Sequence, residues 1–160
     1  MPNWCANHLT LRNKPEMIRR AKLYAEKNNL LQLLNPKPFN LTDEESYVWR
    51  VQNWGTKWEP SILHIESSPK DGYISLEFES AWAPPIQALK HAEETLGFQA
   101  ELYFFECGAG LLGMYRDGEE TYFDLPVNTQ HVDDVLKTLP PEMVEKLDLH
   151  NELYYIFEVS

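Results

Sequence analysis

The residues able to do chemistry in this 160-residue chain are few, so their spacing is weighed first. Histidines stand at His8, His64, His91, His131 and His150, and none falls in an HExxH, HxH or HxxxH spacing that would aim two imidazoles at one metal. Cys5 and Cys107 are far apart, with no companion close enough in sequence to complete a metal site, and read as reduced thiols. Glu106 and apolar neighbours surround Cys107, and such surroundings raise a thiol pKa instead of preparing a nucleophile. Gly108, Gly110 and Gly113 fall at the spacing of a dinucleotide loop, but the flanking segments read strand to strand, where that loop needs strand to helix. Glu77, Glu79, Glu101 and Glu106 could line one sheet face as paired carboxylates for acid–base work or Mg2+. Their period-two alternation is equally that of a solvated sheet face. The expectation is therefore no catalytic residue, no metal and no cofactor.

Indoles are the other concentrated resource. Trp49, Trp54 and Trp58 lie within ten residues, in WRVQNWGTKW, and Trp82 stands in SAWAPP. Each buried indole removes roughly 150–250 Å2 from water, while exposed tryptophans are enriched among residues that dominate interfaces. Trp54 and Trp82 read as scaffold, locking corners where the chain turns. Trp58, between Lys57 and Glu59 on a segment leaving a helix, reads as the outward one.

The elements that must position these residues follow from hydrophobic period. His8–Arg12 alternates as a strand, and Pro15 opens an amphipathic helix with Met17, Ile18, Ala21, Tyr24 and Ala25 on one face. Thr42-Asp43-Glu44-Glu45 is a capping box ahead of Tyr47, Val48, Val51 and Trp54 at helical spacing, with Gly55 as the stop. Strands are expected over 61–66 and 73–79, the second with Ile74, Leu76 and Phe78 inward and Ser75, Glu77 and Glu79 in water. Ile86, Leu89, Ala92 and Leu96 mark a further helix, and 99–106 a strand. Asp117-Gly118 turns a hairpin between 111–115 and 121–125. Short helices are expected from Val132 and after Pro141, then a final strand at YYIFEV. With the helix at about 42–55 set aside as an insertion, the order is βαββαβ: an α+β, ferredoxin-like antiparallel sheet over 1–125, with a C-terminal extension over 126–160 packed on the same domain.

Charge restricts partners. The net is −11, yet residues 1–40 carry +5 and residues 41–160 carry −16. An acidic body repels phosphate backbones and suits a basic protein surface. No apolar run approaches the roughly 20 residues that span a bilayer, and the first residues do not read as a secretory leader, so a cytoplasmic setting is expected.

MPNWCANHL, NWGTKWE, SAWAPP and ECGAGLLGMY occur in that order and together resemble the Api-92-like, or YubB-like, family of bacteriophages and enterobacterial plasmids. The resemblance covers roughly 1–125 and implies a ferredoxin-like domain without an established activity. Glu59 stands where the family usually has Asp, and Ala83 where it often has Ser. The functional expectation is a non-enzymatic accessory protein that contacts a basic host protein through Trp58, Lys57, Glu59, Glu77, Glu79 and Glu101, antagonising a nucleic-acid-binding or defence component. The alternative is single-strand binding, with Tyr103 and Phe105 stacking bases and Arg19, Arg20, Lys22 and Lys27 meeting phosphate. The oligomeric state is left open by the sequence.

Overall fold

A computed structural model describes residues 3–125 and 132–159; His131 and the first residues of the expected extension lie outside them. The elements are β1 (Trp4–Arg12), α1 (Pro15–Glu26), α2 (Leu30–Leu34), α3 (Asp43–Asn53), β2 (Ser61–Ser68), β3 (Tyr73–Ala81), α4 (Ile86–Leu96), β4 (Gln99–Glu106), β5 (Leu111–Arg116), β6 (Glu119–Tyr122), α5 (Val132–Thr138), α6 (Pro141–Lys146) and α7 (Leu149–Val159). The strands form one sheet in the order β2-β3-β1-β4-β5-β6, every neighbouring pair antiparallel. Its first four strands have the order of a ferredoxin-like fold, and the β5–β6 hairpin extends it beyond β4. Asp117 and Gly118 both take positive φ, 53° and 77°, as a two-residue hairpin turn with the twist of its strands requires.

Alternation along the strands builds the main core. Leu9 and Leu11, Ile74, Leu76 and Phe78, and Leu102 and Phe104 are all buried on one face. They meet Ile18, Ala21 and Ala25 of α1 and Ile86, Leu89 and Ala92 of α4. Removing each large apolar side chain from water contributes about 1.5–3 kcal/mol, so this layer dominates stability. Pro15 starts α1, where its missing N–H costs nothing, and Asn28 at φ 53° ends it. Thr42 caps α3 by accepting from the Glu45 amide at 3.2 Å, and its hydroxyl donates to the Glu45 carboxylate at 3.0 Å.

The sheet is covered on two sides, not one. Tyr103, Phe105 and Leu112 on the face away from α1 and α4 form a second core with Val132, Met143, Leu149 and Leu153 from the C-terminal helices. YYIFEV is accordingly the end of helix α7 and not a strand. Tyr, Ile, Phe and Val favour strands singly, but Leu149 and Leu153 are four apart and both buried, which fixes the helical face.

The expected inward stripe of α3 also differs. Trp54 is buried just past the helix end, donating from Nε1 to the Asn35 carbonyl at 2.8 Å and meeting Trp49 edge to face at 5.8 Å. Tyr47, Val48 and Val51 face solvent, because α3 packs through Ser46, Trp49, Arg50 and Asn53.

Candidate functional site

The four motif stretches meet at one end of the sheet, Gly108 of the last lying against the Asn3 side chain of the first. Trp4 begins β1, Trp58 precedes β2, and Trp82 follows β3. Register places Trp4 beside Ala81, and the Trp82 amide donates to the Asn3 carbonyl at 2.8 Å. The Thr56 hydroxyl donates to the Ala81 carbonyl at 2.9 Å, pinning the GTKW segment against the end of β3. Gly55, at φ 88°, lets the chain pass so close to the turn after β3 that a Cβ there would lie 3.1 Å from the Pro84 carbonyl oxygen. Trp4 and Trp58 pack edge to face at 6.3 Å, and Lys57 Nζ stands 4.8 Å from the Trp82 ring and 5.9 Å from that of Tyr47.

These rings remain in water. Trp4, Trp58 and Trp82 are 42%, 41% and 42% exposed, and Lys57 links them to the uncovered Tyr47 on α3. Trp82 was expected to serve the scaffold. Its φ of 70° instead turns the ring outward, a conformation a bulky residue adopts only where its surroundings enforce it. Here the Asn3 bond and the Ala83 amide, which donates to Ala81 at 2.9 Å, enforce it.

Of the acidic residues singled out by sequence, Glu106 does not line the sheet face with the others. It is buried at the end of β4, where its carboxylate accepts from the Gly108 and Ala109 amides at 2.6 and 2.8 Å. The other four divide three ways. Glu59 is turned inward: its two carboxylate oxygens accept from the Leu31 and Gln32 amides, each at 2.8 Å, and so cap α2. Burial pushes it up to about 7, against the opposing pull of those two amides. This removes Glu59 from the expected contact set, since its hydrogen-bonding groups are engaged within the fold. Glu101 is also engaged, 3.1 Å from Arg116 across the β4–β5 ladder. Glu77 and Glu79 do face the surface and line a cleft of about 290 Å3 with Glu145, Asp148 and Glu152, beside Lys146. Glu79 pairs in register with Ser61, three residues from Trp58, and with Ala6, two from Trp4.

Further along the same sheet face, cross-strand rows build a polar cluster. Glu77, His8 and Tyr103 form one row; Ser75, Thr10, Glu101 and Arg116 form the next. The Tyr103 hydroxyl lies 3.0 Å from a carboxylate oxygen of each of Glu101 and Glu142, donating to one at a time, and accepts from Arg116 at 2.9 Å. Burial first, then those carboxylates, raises its pKa. Burial and nearby Lys146 lower that of His8, whose Nδ1 lies 3.8 Å from Glu77 without a hydrogen bond.

The requirements of the nucleic-acid reading are separated. Tyr103 and Phe105 are buried under the C-terminal helices, whereas Arg19, Arg20 and Lys22 lie exposed on α1, and Lys27 just past its end, across the sheet. Cys5 and Cys107 are free, and burial pushes Cys5 up to about 12. Among the described residues no group of three or more His, Cys, Asp or Glu is arranged to hold a metal ion. No described helix is long and apolar enough to cross a membrane.

Sequence reasoning missed Arg12, Glu142 and Lys146 at this face. Centring the hairpin on Asp117-Gly118 sets Arg116 opposite Glu119, whereas its place opposite Glu101 follows from the turn between β4 and β5. The helix after Pro141 was expected, but not the sheet face it covers.

The fold is thus that of an α+β, ferredoxin-like-type protein with both sheet faces engaged. No family model and no curated protein matches the chain. Among solved structures, the crystal structure of protein Api92 from Yersinia pseudotuberculosis, of family DUF1281, is similar at 13% identity with a TM-score of 0.43, covering 61% of this chain and 41% of that one. The chain therefore spans less than half the length of that neighbour.

Proposed function

We propose that this protein acts by contact with another protein and without catalysis, through the indole patch at the end of the sheet and the acidic cleft beside it. The observation that carries this reading is the gathering of Trp4, Trp58 and Trp82 around Lys57 with two-fifths of each indole in water. A partner that covers them gains roughly 25 cal/mol for each Å2 of apolar surface removed from water. The partner's own surface is basic. The −16 of residues 41–160 steers such a surface in, and Glu77 and Glu79 stand next to the patch to receive it. Surfaces of that charge ordinarily hold nucleic acid, and the mobile-element setting implied by the motifs supplies one in a cytoplasmic host nucleic-acid-binding or defence protein.

The test is retention of cell proteins on the immobilised chain at low and at moderate salt, compared with a Trp58→Ala/Trp82→Ala double variant. The expected result is a basic protein held by the wild type at low salt, weakened as salt rises, and lost from the double variant. Equal retention by both chains, or retention of nothing, overturns the reading.

A further inference from the structure

Phe39, in the loop between α2 and α3, is 97% exposed, the most uncovered large apolar side chain among the described residues. Slackness of the loop does not put it there. Pro36 and Pro38 restrict the backbone on the approach to the ring. Gln32 clasps Lys37 twice: the Lys37 amide donates to Gln32 Oε1 at 3.2 Å, and Gln32 Nε2 donates to the Lys37 carbonyl at 3.3 Å. Lys37 Nζ donates to the Pro38 carbonyl at 3.2 Å and to Ser46 Oγ at 3.3 Å, which ties the loop to the packed side of α3.

Beside this loop a groove of about 430 Å3 runs along the outward side of α3. Glu44, Val48 and Gln52 stand one above another at intervals of four, with Glu45 and Trp49 in the next row, and Leu41 closes the N-terminal end. Leu41 is two residues on from Phe39, so ring and groove share one stretch of surface. A projecting ring and a groove able to receive one, side by side on the same chain, meet the condition for a two-fold contact between identical copies. In such a contact residue i of each copy meets residue j of the other.

Charge permits the approach. The loop NPKPFNL, over 35–41, holds one cation and no carboxylate, so it meets Glu44 and Glu45 without like-charge repulsion. Two seated rings and the walls that cover them remove about 600–1,000 Å2 from water, at 150–250 Å2 for each ring and as much again of wall. That is the size of a weak, reversible interface.

We propose that two copies of this chain pair through this face, the Phe39 ring of each seated in the α3 groove of the other. This goes beyond the reading above and does not depend on it, since the Trp4–Trp58–Trp82 patch gives the groove no residue. The two contacts also respond oppositely to salt. Each copy carries −11, so added salt relieves the repulsion between copies and tightens their pairing. The same salt loosens the hold on a basic partner.

Sedimentation velocity of the full chain, from about 1 μM to 1 mM and at low and moderate salt, tests it. The expected result is a mass that rises from one chain to two and stops there, with the rise at lower concentration in the higher salt. Phe39→Ser and Val48→Glu should each move the rise to at least about tenfold higher concentration, as loss of a central anchor does. Leu23→Ser, at an exposed leucine of α1, and the Trp58→Ala/Trp82→Ala double variant should leave it in place. Phe39 and Val48 are both exposed, so their variants fold, and circular dichroism confirms that before sedimentation. A mass that climbs past two chains, a rise that moves to higher concentration with salt, or pairing unchanged in either groove variant overturns the proposal. A single-chain mass throughout also overturns it, and a cell protein retained by the wild type but lost from Phe39→Ser would then assign the groove to a different partner.

Discussion

Tyr103→Phe isolates what holds the C-terminal helices to the sheet. The ring is 1% exposed and packs in the second core, so phenylalanine keeps its volume and contacts and removes only the hydroxyl. That oxygen sits between Glu101 and Glu142 at 3.0 Å each and accepts from Arg116 at 2.9 Å. A hydrogen bond to a charged group contributes about 1.5–3 kcal/mol. Glu142 is 63% exposed on its side chain and Arg116 42%, so water replaces part of what they lose. The expected net cost is therefore about 1.5–2 kcal/mol, near the lower end for one such bond. In a protein of this size that lowers Tm by roughly 3–8 °C. Urea denaturation followed by tryptophan fluorescence measures it, and a cycle with Glu142→Gln should give a coupling of at least about 0.5 kcal/mol. Amide exchange should rise in α6 and α7 more than in α4, because the hydroxyl joins α6 to β4. A cost under about 0.5 kcal/mol, or exchange rising evenly along the chain, refutes the reasoning that this hydroxyl anchors the extension.

Glu59 makes stability depend on pH. Its pKa is raised from 4.5 to about 7, so its contribution is fully present below 4.5 and is lost as pH rises through about 7. Wild-type stability should fall across that window by up to the order of 3 kcal/mol, at 1.36 kcal/mol per pH unit, and Glu59→Gln should flatten the slope; equal slopes in urea titrations of the two would count against the assignment. Gly113→Ala would set a Cβ 2.5 Å from Phe104 Cζ and 2.7 Å from the Thr121 carbonyl oxygen. Overpacking of that kind costs about 1–3 kcal/mol, and a chain as stable as wild type in denaturant would contradict it. Mass spectrometry after brief treatment with a thiol reagent should find Cys107 modified and Cys5, buried and pushed up to about 12, untouched until the fold opens.

The ferredoxin-like order was legible because each half announces its own period. Leu9 and Leu11 alternate, Met17 to Ala25 recur at three and four, and Asp117-Gly118 fixes the hairpin. Helix α7 was not legible, because Tyr154 to Val159 is composed like a strand and its helical face begins only at Leu149. The outward face of α3 was hidden for a different reason: Tyr47, Val48 and Val51 have the spacing of a core stripe, and only the packing of Trp49, Arg50 and Asn53 shows which side was taken. Glu59 looked like a surface charge because the amides it caps lie 28 and 27 residues upstream. Trp58 and Lys57 were found from local context, while Trp4 and Trp82 joined them only once β1 and β3 were paired.

The double covering of the sheet has a bearing on synthesis. All six strands have left the ribosome once Tyr122 emerges, but Val132, Met143, Leu149 and Leu153 follow later. At about 5–20 residues per second, Tyr103, Phe105 and Leu112 wait on the order of seconds for their cover. A nascent chain paused in that interval has one finished flank and one adhesive flank, so translation speed over its last stretch bears directly on how much of it escapes clumping.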